Sequence, residues 1–133
     1  MSENNDLKAT TLGGVRGATT VESNNASSIK NATKELLTEM LKVNKIETDD
    51  IAATFFTTTK DLFDEFPAVA ARDMGWKTVP LLCSHEMEVP SGLKKCIRIL
   101  ILWNTKKPQK KIKHPYLKEA VNLRKSQSEF DVT

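Results

Sequence analysis

The stretch Cys96-Ile-Arg-Ile-Leu-Ile-Leu-Trp103 constrains the fold more than any other, because every position in it except Arg98 is apolar. A half-exposed strand alternates apolar with polar residues, whereas an apolar run of this kind points to a strand buried on both faces. Arg98 fits poorly there. A guanidinium keeps its proton inside a protein, and a lone buried cation costs several kcal/mol, so it needs an anionic or acceptor partner. Two solutions are open. One is an internal salt bridge to Glu86 or Glu88 on a neighbouring strand. The other is a bound anion, in a pocket left electropositive when empty.

Around that strand, extended and helical patterns alternate. Leu12 to Val21 reads as a first strand with glycines at 13, 14 and 17. Asn24 to Asn44 carries a helical stripe of Ile29, Leu36, Leu37, Met40, Leu41 and Val43, with Ser and Asn residues ahead of it to cap it. Glu47 to Asp50 is a polar turn, and Ile51 to Thr58 a strand. Pro67 opens a short helix through Ala-Val-Ala-Ala-Arg. Thr78 to Glu88 and Cys96 to Trp103 are two further strands, separated by Pro90, Ser91 and Gly92. Lys106 to Lys113 is expected to be a solvated basic loop, and Tyr116 to Leu123 a short helix. The order predicts an α+β domain with a mixed β-sheet and helices packed on one face. The expected division is a flexible tail over 1–11, a single domain over 12–125 and a second flexible tail over 126–133.

At 133 residues the chain has the length of one domain. Folding removes roughly two thirds of the extended-chain surface at that size, so a core forms without staples. Two cysteines and two histidines exclude a disulfide-dense scaffold and a four-cysteine zinc site. No apolar run nears the roughly 18 residues that span a bilayer, and the polar start lacks a signal peptide's hydrophobic region. A reducing cytoplasm is the expected location. The net charge of +3 hides an asymmetry: Lys94 to Lys125 holds eleven Lys or Arg against Glu119 alone, a balance of +10, while the remainder sums to −7. Such a surface attracts anions, whether nucleic acid, a membrane surface or a small metabolite.

The residues that resist a purely structural reading are few. Arg16 lies in Gly-Val-Arg-Gly-Ala-Thr-Thr, where small neighbours let a ligand approach the backbone. Strict alternation puts Cys83 and Glu86 on opposite faces of their strand, so both line one site only if the strand ends or bulges near Ser84. Cys83 and His85 lack a third, orienting group for nucleophilic catalysis, and Cys-x-His lacks a second pair of metal ligands. There is no phosphate loop or dinucleotide fingerprint, nor the interleaving of aromatic and basic residues used by single-strand binders. An inventory of arginines, one Glu, one Cys and Tyr116 suits binding a dianion better than hydrolysis.

Three segments together resemble the monofunctional AroH-class chorismate mutases. Val15-Arg-Gly-Ala-Thr-Thr-Val21 is similar to that family's opening strand. Val79-Pro80, Cys83, Glu86-Met87 and Gly92-Leu-Lys-Lys-Cys-Ile-Arg98 resemble its central block. His114, Tyr116-Leu117, Ala120-Val121 and Leu123-Arg124 resemble its C-terminal block, with Phe66-Pro67-Ala68, Arg72 and Gly75-Trp76 between. The resemblance implies a trimeric pseudo-α/β-barrel with sheets inside, helices outside and active sites between subunits. It implies isomerisation of chorismate to prephenate, on the route to phenylalanine and tyrosine, by an intramolecular [3,3] rearrangement. That chemistry requires no cofactor, metal or covalent intermediate, and neither nucleic acid nor a membrane as partner.

Carried over by position, the resemblance gives Arg98 the ether oxygen and part of the side-chain carboxylate, and gives Arg16 and Tyr116 that same carboxylate. Glu86 accepts from the ring hydroxyl, and Cys83 lines the ring side. Phe66 and Ala68 from an adjacent subunit pack on the substrate. Arg72 and Arg124 lie near the mouth, which Leu123 partly closes. Two departures concern affinity: Val69 stands where relatives often have a lysine, and Leu82 where a small polar residue often precedes the cysteine. Two other readings remain, a non-catalytic trimeric relative that binds small anions, and a nucleic-acid binder whose affinity falls steeply with salt.

Overall fold

A computed structural model describes residues 9–123, and the alternation within each strand decides which side of the sheet is covered. The elements run β1 (Thr11–Thr20), α1 (Ala26–Asn44), β2 (Ile51–Thr58), α2 (Ala68–Asp73), β3 (Leu81–His85) and β4 (Cys96–Thr105), with 3-10 turns at Thr48–Asp50, Gln109–Lys111 and Lys118–Ala120. The strands form one sheet in the order β1-β4-β2-β3. β4 is antiparallel to both β1 and β2, and β2 pairs in parallel with β3. The sheet is therefore mixed, as the element order predicts.

α1 begins where Asn25 accepts the Ser28 N–H at 2.8 Å, relieving one of the orphan donors of the first turn. It ends at Lys45, whose left-handed backbone (φ 57°) lets its N–H reach the Leu41 carbonyl. Between those caps Ile29, Leu36, Leu37 and Met40 are buried against Val15, Phe56, Ile97, Ile99, Ile101 and Trp103. The contact is close at Gly17, where a Cβ would lie 2.6 Å from Met40 Sδ. Both helices thus cover one face of the sheet. No helix among the described residues is long and apolar enough to cross a membrane.

β4 corrects the opening expectation. Ile97, Ile99, Ile101 and Trp103 are buried under the helices, but Arg98 and Leu100 on the other face are exposed and Leu102 is half-buried. Among the described residues nothing covers the middle of that face. One end of it carries a small second cluster of Ala18, Cys96 and Ala120, with Leu93, Tyr116 and Leu123 against it.

Three segments differ from expectation. The strand expected over 78–88 is confined to Leu81–His85; just before it, the Pro80 carbonyl accepts the Thr54 N–H. The short helix expected over 116–123 starts later: Tyr116 is extended and bridged in parallel to Ala18, a 3-10 turn covers Lys118–Ala120, and residues 121–123 are helical. The basic loop is exposed at most of its lysines but is not loose. Ile112 plugs in over Gly13, and Asn44 grips the Lys113 backbone through Nδ2 to its carbonyl (2.8 Å) and Oδ1 from its N–H (2.9 Å).

Candidate active site

The open face of the sheet is where the arginines meet, and strand register brings them together. Ala18, Arg98 and Thr57 are direct partners across β1, β4 and β2, and Arg16, Leu100 and Phe55 form the adjacent row. Direct cross-strand partners project to the same side, so Arg16 and Arg98 are diagonal neighbours on the face away from α1.

Glu86 joins them from just beyond β3. Its N–H donates to the Thr58 carbonyl at 2.8 Å, carrying the pairing one residue past His85. Tyr116 reaches the same region because residues 115–117 are stitched to the outer edge of β1. Ala18 N–H donates to the Pro115 carbonyl (3.2 Å) and Leu117 N–H to the Ala18 carbonyl (2.9 Å). Arg16, Arg98, Glu86, Tyr116 and Leu123 line one cavity of about 540 Å³, together with apolar atoms of Phe55 and Leu100. That volume lies within the usual small-ligand range of roughly 300–1,000 Å³.

Of the two solutions open for Arg98, the internal salt bridge does not form among the described residues. Glu88 pairs with Lys60 at 3.2 Å instead, and no ion pair joins Arg98 to Glu86 among the described residues. The exposed position of Arg98 removes the need for one, since its charge is solvated within a single chain. The guanidinium does sit against the Cys96 thiol; burial pushes that thiol above its ordinary value, and the nearby positive charge pulls the other way.

Cys83 and Phe66 lie elsewhere. Cys83 is paired with the buried Phe56 and so faces the helix side of the sheet, opposite Glu86, as alternation predicts. With Phe66, Phe63, Pro67 and His85 it lines a second cavity, of about 330 Å³. Burial raises the Cys83 thiol above its ordinary value, and a hydrogen bond from the Ala68 backbone at the start of α2 works against that. His85 turns Nδ1 to Thr58 Oγ1 at 3.2 Å. Arg72, exposed on α2, donates through Nη1 to the Trp76 carbonyl. Val69 is half-buried on the same helix, while Leu82 is exposed on the open face. Arg124 lies outside the described residues.

Sequence reasoning missed Thr57, Phe55 and Leu100, which line the first cavity as the register neighbours of Arg98 and Arg16. Knowing the register would have found them. Sequence reasoning matched His114 to the family's C-terminal block but gave it no role, and the His114 Nδ1 accepts the Arg16 N–H at 2.9 Å; a side chain meeting a backbone so far away in sequence leaves no periodic signal.

Comparison with known proteins identifies the family. Residues 12–127 match the family described as chorismate mutase type I. The chorismate mutase AroH of Thermus thermophilus is 50% identical over 112 residues, 84% of this chain and 92% of that protein. The AroH enzyme of Bacillus subtilis (strain 168) is 43% identical over 112 residues, covering 84% of this chain and 88% of its own length. Among solved structures, a chorismate mutase from Clostridium thermocellum superposes with a TM-score of 0.81 at 50% identity, over 82% of this chain and 97% of that one.

Proposed function

This chain belongs to the chorismate mutase type I family and isomerises chorismate to prephenate; we propose that it does so by fixed charge and conformational restraint, in clefts completed between copies of itself. The observation that carries the proposal is the convergence of Arg16, Arg98, Glu86 and Tyr116 on a single cavity.

In the rearrangement the ether carbon–oxygen bond breaks while a new carbon–carbon bond forms in the same molecule. No proton leaves or arrives, so the chemistry asks for no nucleophile and no base. Only a folded, pseudo-diaxial conformer reacts, which makes orientation the first contribution of the cleft. Arg16 and Tyr116 hold the side-chain carboxylate, and Glu86 accepts from the ring hydroxyl, fixing that conformer at its two ends. Charge is the second contribution. Negative charge grows on the ether oxygen as its bond stretches, and Arg98 faces it from a strand braced on both sides by Ala18 and Thr57. A cation already in position binds the transition state more strongly than the ground state, which raises turnover. A millionfold acceleration corresponds to about 8 kcal/mol, of which one donor so placed supplies about 3–4.

The remaining contacts come from a neighbouring copy. Phe66, Ala68 and Cys83 pack against the substrate, although in one chain Phe66 and Cys83 line a different cavity from the arginines. A second copy laid across the open face supplies them. It also covers Leu12 and Leu82, which are 58% and 59% exposed, and provides the second burying layer that the composition of β4 implies. Closure into a trimer with sheets inside satisfies every copy alike. Arg72 and Arg124 lie near the mouth, and the two free cysteines suit a reducing cytoplasm.

The test follows chorismate by its ultraviolet absorbance, with purified protein and no added metal or nucleotide. Saturable loss is expected, and Arg98→Ala lowers turnover by at least about a hundredfold. Arg98→Lys fails as well, because a single ammonium cannot span the ether oxygen and the carboxylate. Near-normal turnover in a folded Arg98→Ala protein removes Arg98 from the mechanism.

A further inference from the structure

β1 is an edge strand, and its outward backbone groups would be left unpaired without cover. The chain satisfies several of them from its own later residues. Gly14 is clamped by Gln109, whose Oε1 accepts the Gly14 N–H and whose Nε2 donates to the Gly14 carbonyl, both at 2.8 Å. Ala18 is held through its N–H and carbonyl by Pro115 and Leu117. Between them stands Arg16, whose N–H is taken by Nδ1 of His114 at 2.9 Å. An imidazole thus stands where a further strand would offer a carbonyl.

The ring is aimed from both sides. Asn44 fixes the Lys113 backbone just before it, and the Pro115 and Leu117 bonds to Ala18 fix the chain just after it. Accepting at Nδ1 requires that nitrogen to carry no hydrogen, so the bond selects the neutral imidazole protonated at Nε2. His114 touches the backbone of one cavity residue, Arg16, and lies two residues before another, Tyr116.

We infer that His114 is a positioning residue for substrate binding: its Nδ1 holds the Arg16 backbone, and with it the guanidinium, at the distance from Tyr116 that a carboxylate requires. This rests on the reading that Arg16 and Tyr116 bind the side-chain carboxylate. Losing the brace leaves the Arg16 guanidinium, Tyr116, Glu86 and Arg98 present and loosens only the hold on the carboxylate, so it weakens binding and raises KM with little change in kcat.

The experiment compares three variants of the full chain by steady-state kinetics and thermal melting. His114→Leu keeps bulk and removes the acceptor; KM for chorismate is expected to rise about five- to tenfold with kcat within about twofold, the scale of one lost hydrogen bond. His114→Asn puts Oδ1 where Nδ1 was, and KM is expected to return to near the parent value. Arg16→Ala raises KM by more than His114→Leu does. If Arg16→Ala binds normally, the carboxylate reading fails and this inference with it. If Arg16→Ala is impaired while His114→Leu binds normally, the inference alone fails. It fails too if His114→Leu loses kcat rather than affinity, or if His114→Asn melts like the parent yet binds as poorly as His114→Leu. Should His114→Leu not fold, the Asn variant decides: a parental KM supports the brace and a raised KM in a folded protein overturns it.

Discussion

Arg98 escapes the penalty its neighbours imply because the face it occupies is open among the described residues. In the proposed assembly its desolvation arises only when a second copy and the substrate close over it, and the substrate's own carboxylate then offsets much of that cost. Cys83 presents the opposite case, a group whose chemistry is suppressed by its surroundings. Burial lifts its thiol above the ordinary value, only partly opposed by the Ala68 hydrogen bond, so near neutral pH it packs as an uncharged side chain. Cys83→Ala is accordingly expected to keep kcat within about threefold of the parent, whereas removing a true nucleophile costs several orders of magnitude. The sign of the shift is checked by alkylation, followed by mass at Cys83. Thiolate forms only as pH rises past the raised value, so the rate keeps climbing beyond the pH at which a free cysteine levels off. A plateau at the free-cysteine position contradicts the role of burial.

At the scale of elements, the packing of α1 on β1 is set by the missing side chain at position 17. A Cβ there would meet Met40 Sδ at 2.6 Å and Leu36 Cδ1 at 3.1 Å, both fully buried. Gly17→Val therefore overpacks the interface, with an expected loss of about 1–3 kcal/mol in unfolding free energy by denaturant titration. Because Arg16 precedes this position, activity is expected to fall along with stability. Much of this layer was legible beforehand. The stripe on α1, the bounds of β2 and the opposite facing of Cys83 and Glu86 all follow from local periods of 3.6 and 2. What β4 concealed is of another kind. Its composition states that both faces are covered, but composition cannot say whether the second cover belongs to the same chain. The brace at 109–117 was hidden for a similar reason. Gln109 and His114 act through side chains on backbone that is 95 and 98 residues away, and no local pattern reports such contacts. The five lysines over 106–113 read as solvated charge, while the residues that pin that loop, Gln109 and Ile112, are unremarkable by type.

The whole molecule combines a charge asymmetry with two separate groups of candidate site residues. The positive stretch from Lys94 to Lys125 contributes Arg98 to the cavity from a chain that is otherwise net acidic, and so draws dianions toward the open face. The two residue sets, Arg16, Glu86, Arg98 and Tyr116 on one side and Phe66 and Cys83 on the other, line separate cavities. If neighbouring copies complete each other, two inactive chains can restore activity. Arg98→Ala disables the first set. Phe66→Asp disables the second by setting a carboxylate against a dianion, at a side chain 68% exposed and therefore tolerant of the change. Unfolded together in equal amounts and refolded, they form mixed trimers in which a site works only when its arginine half comes from the Phe66→Asp chain and its other half from the Arg98→Ala chain. Random assortment puts that at about a quarter of all sites. Recovery near a quarter of parental activity, absent when the variants are refolded separately, is the expected outcome. A mixture no more active than its components means that each chain builds its site alone, and the open face then has some other purpose.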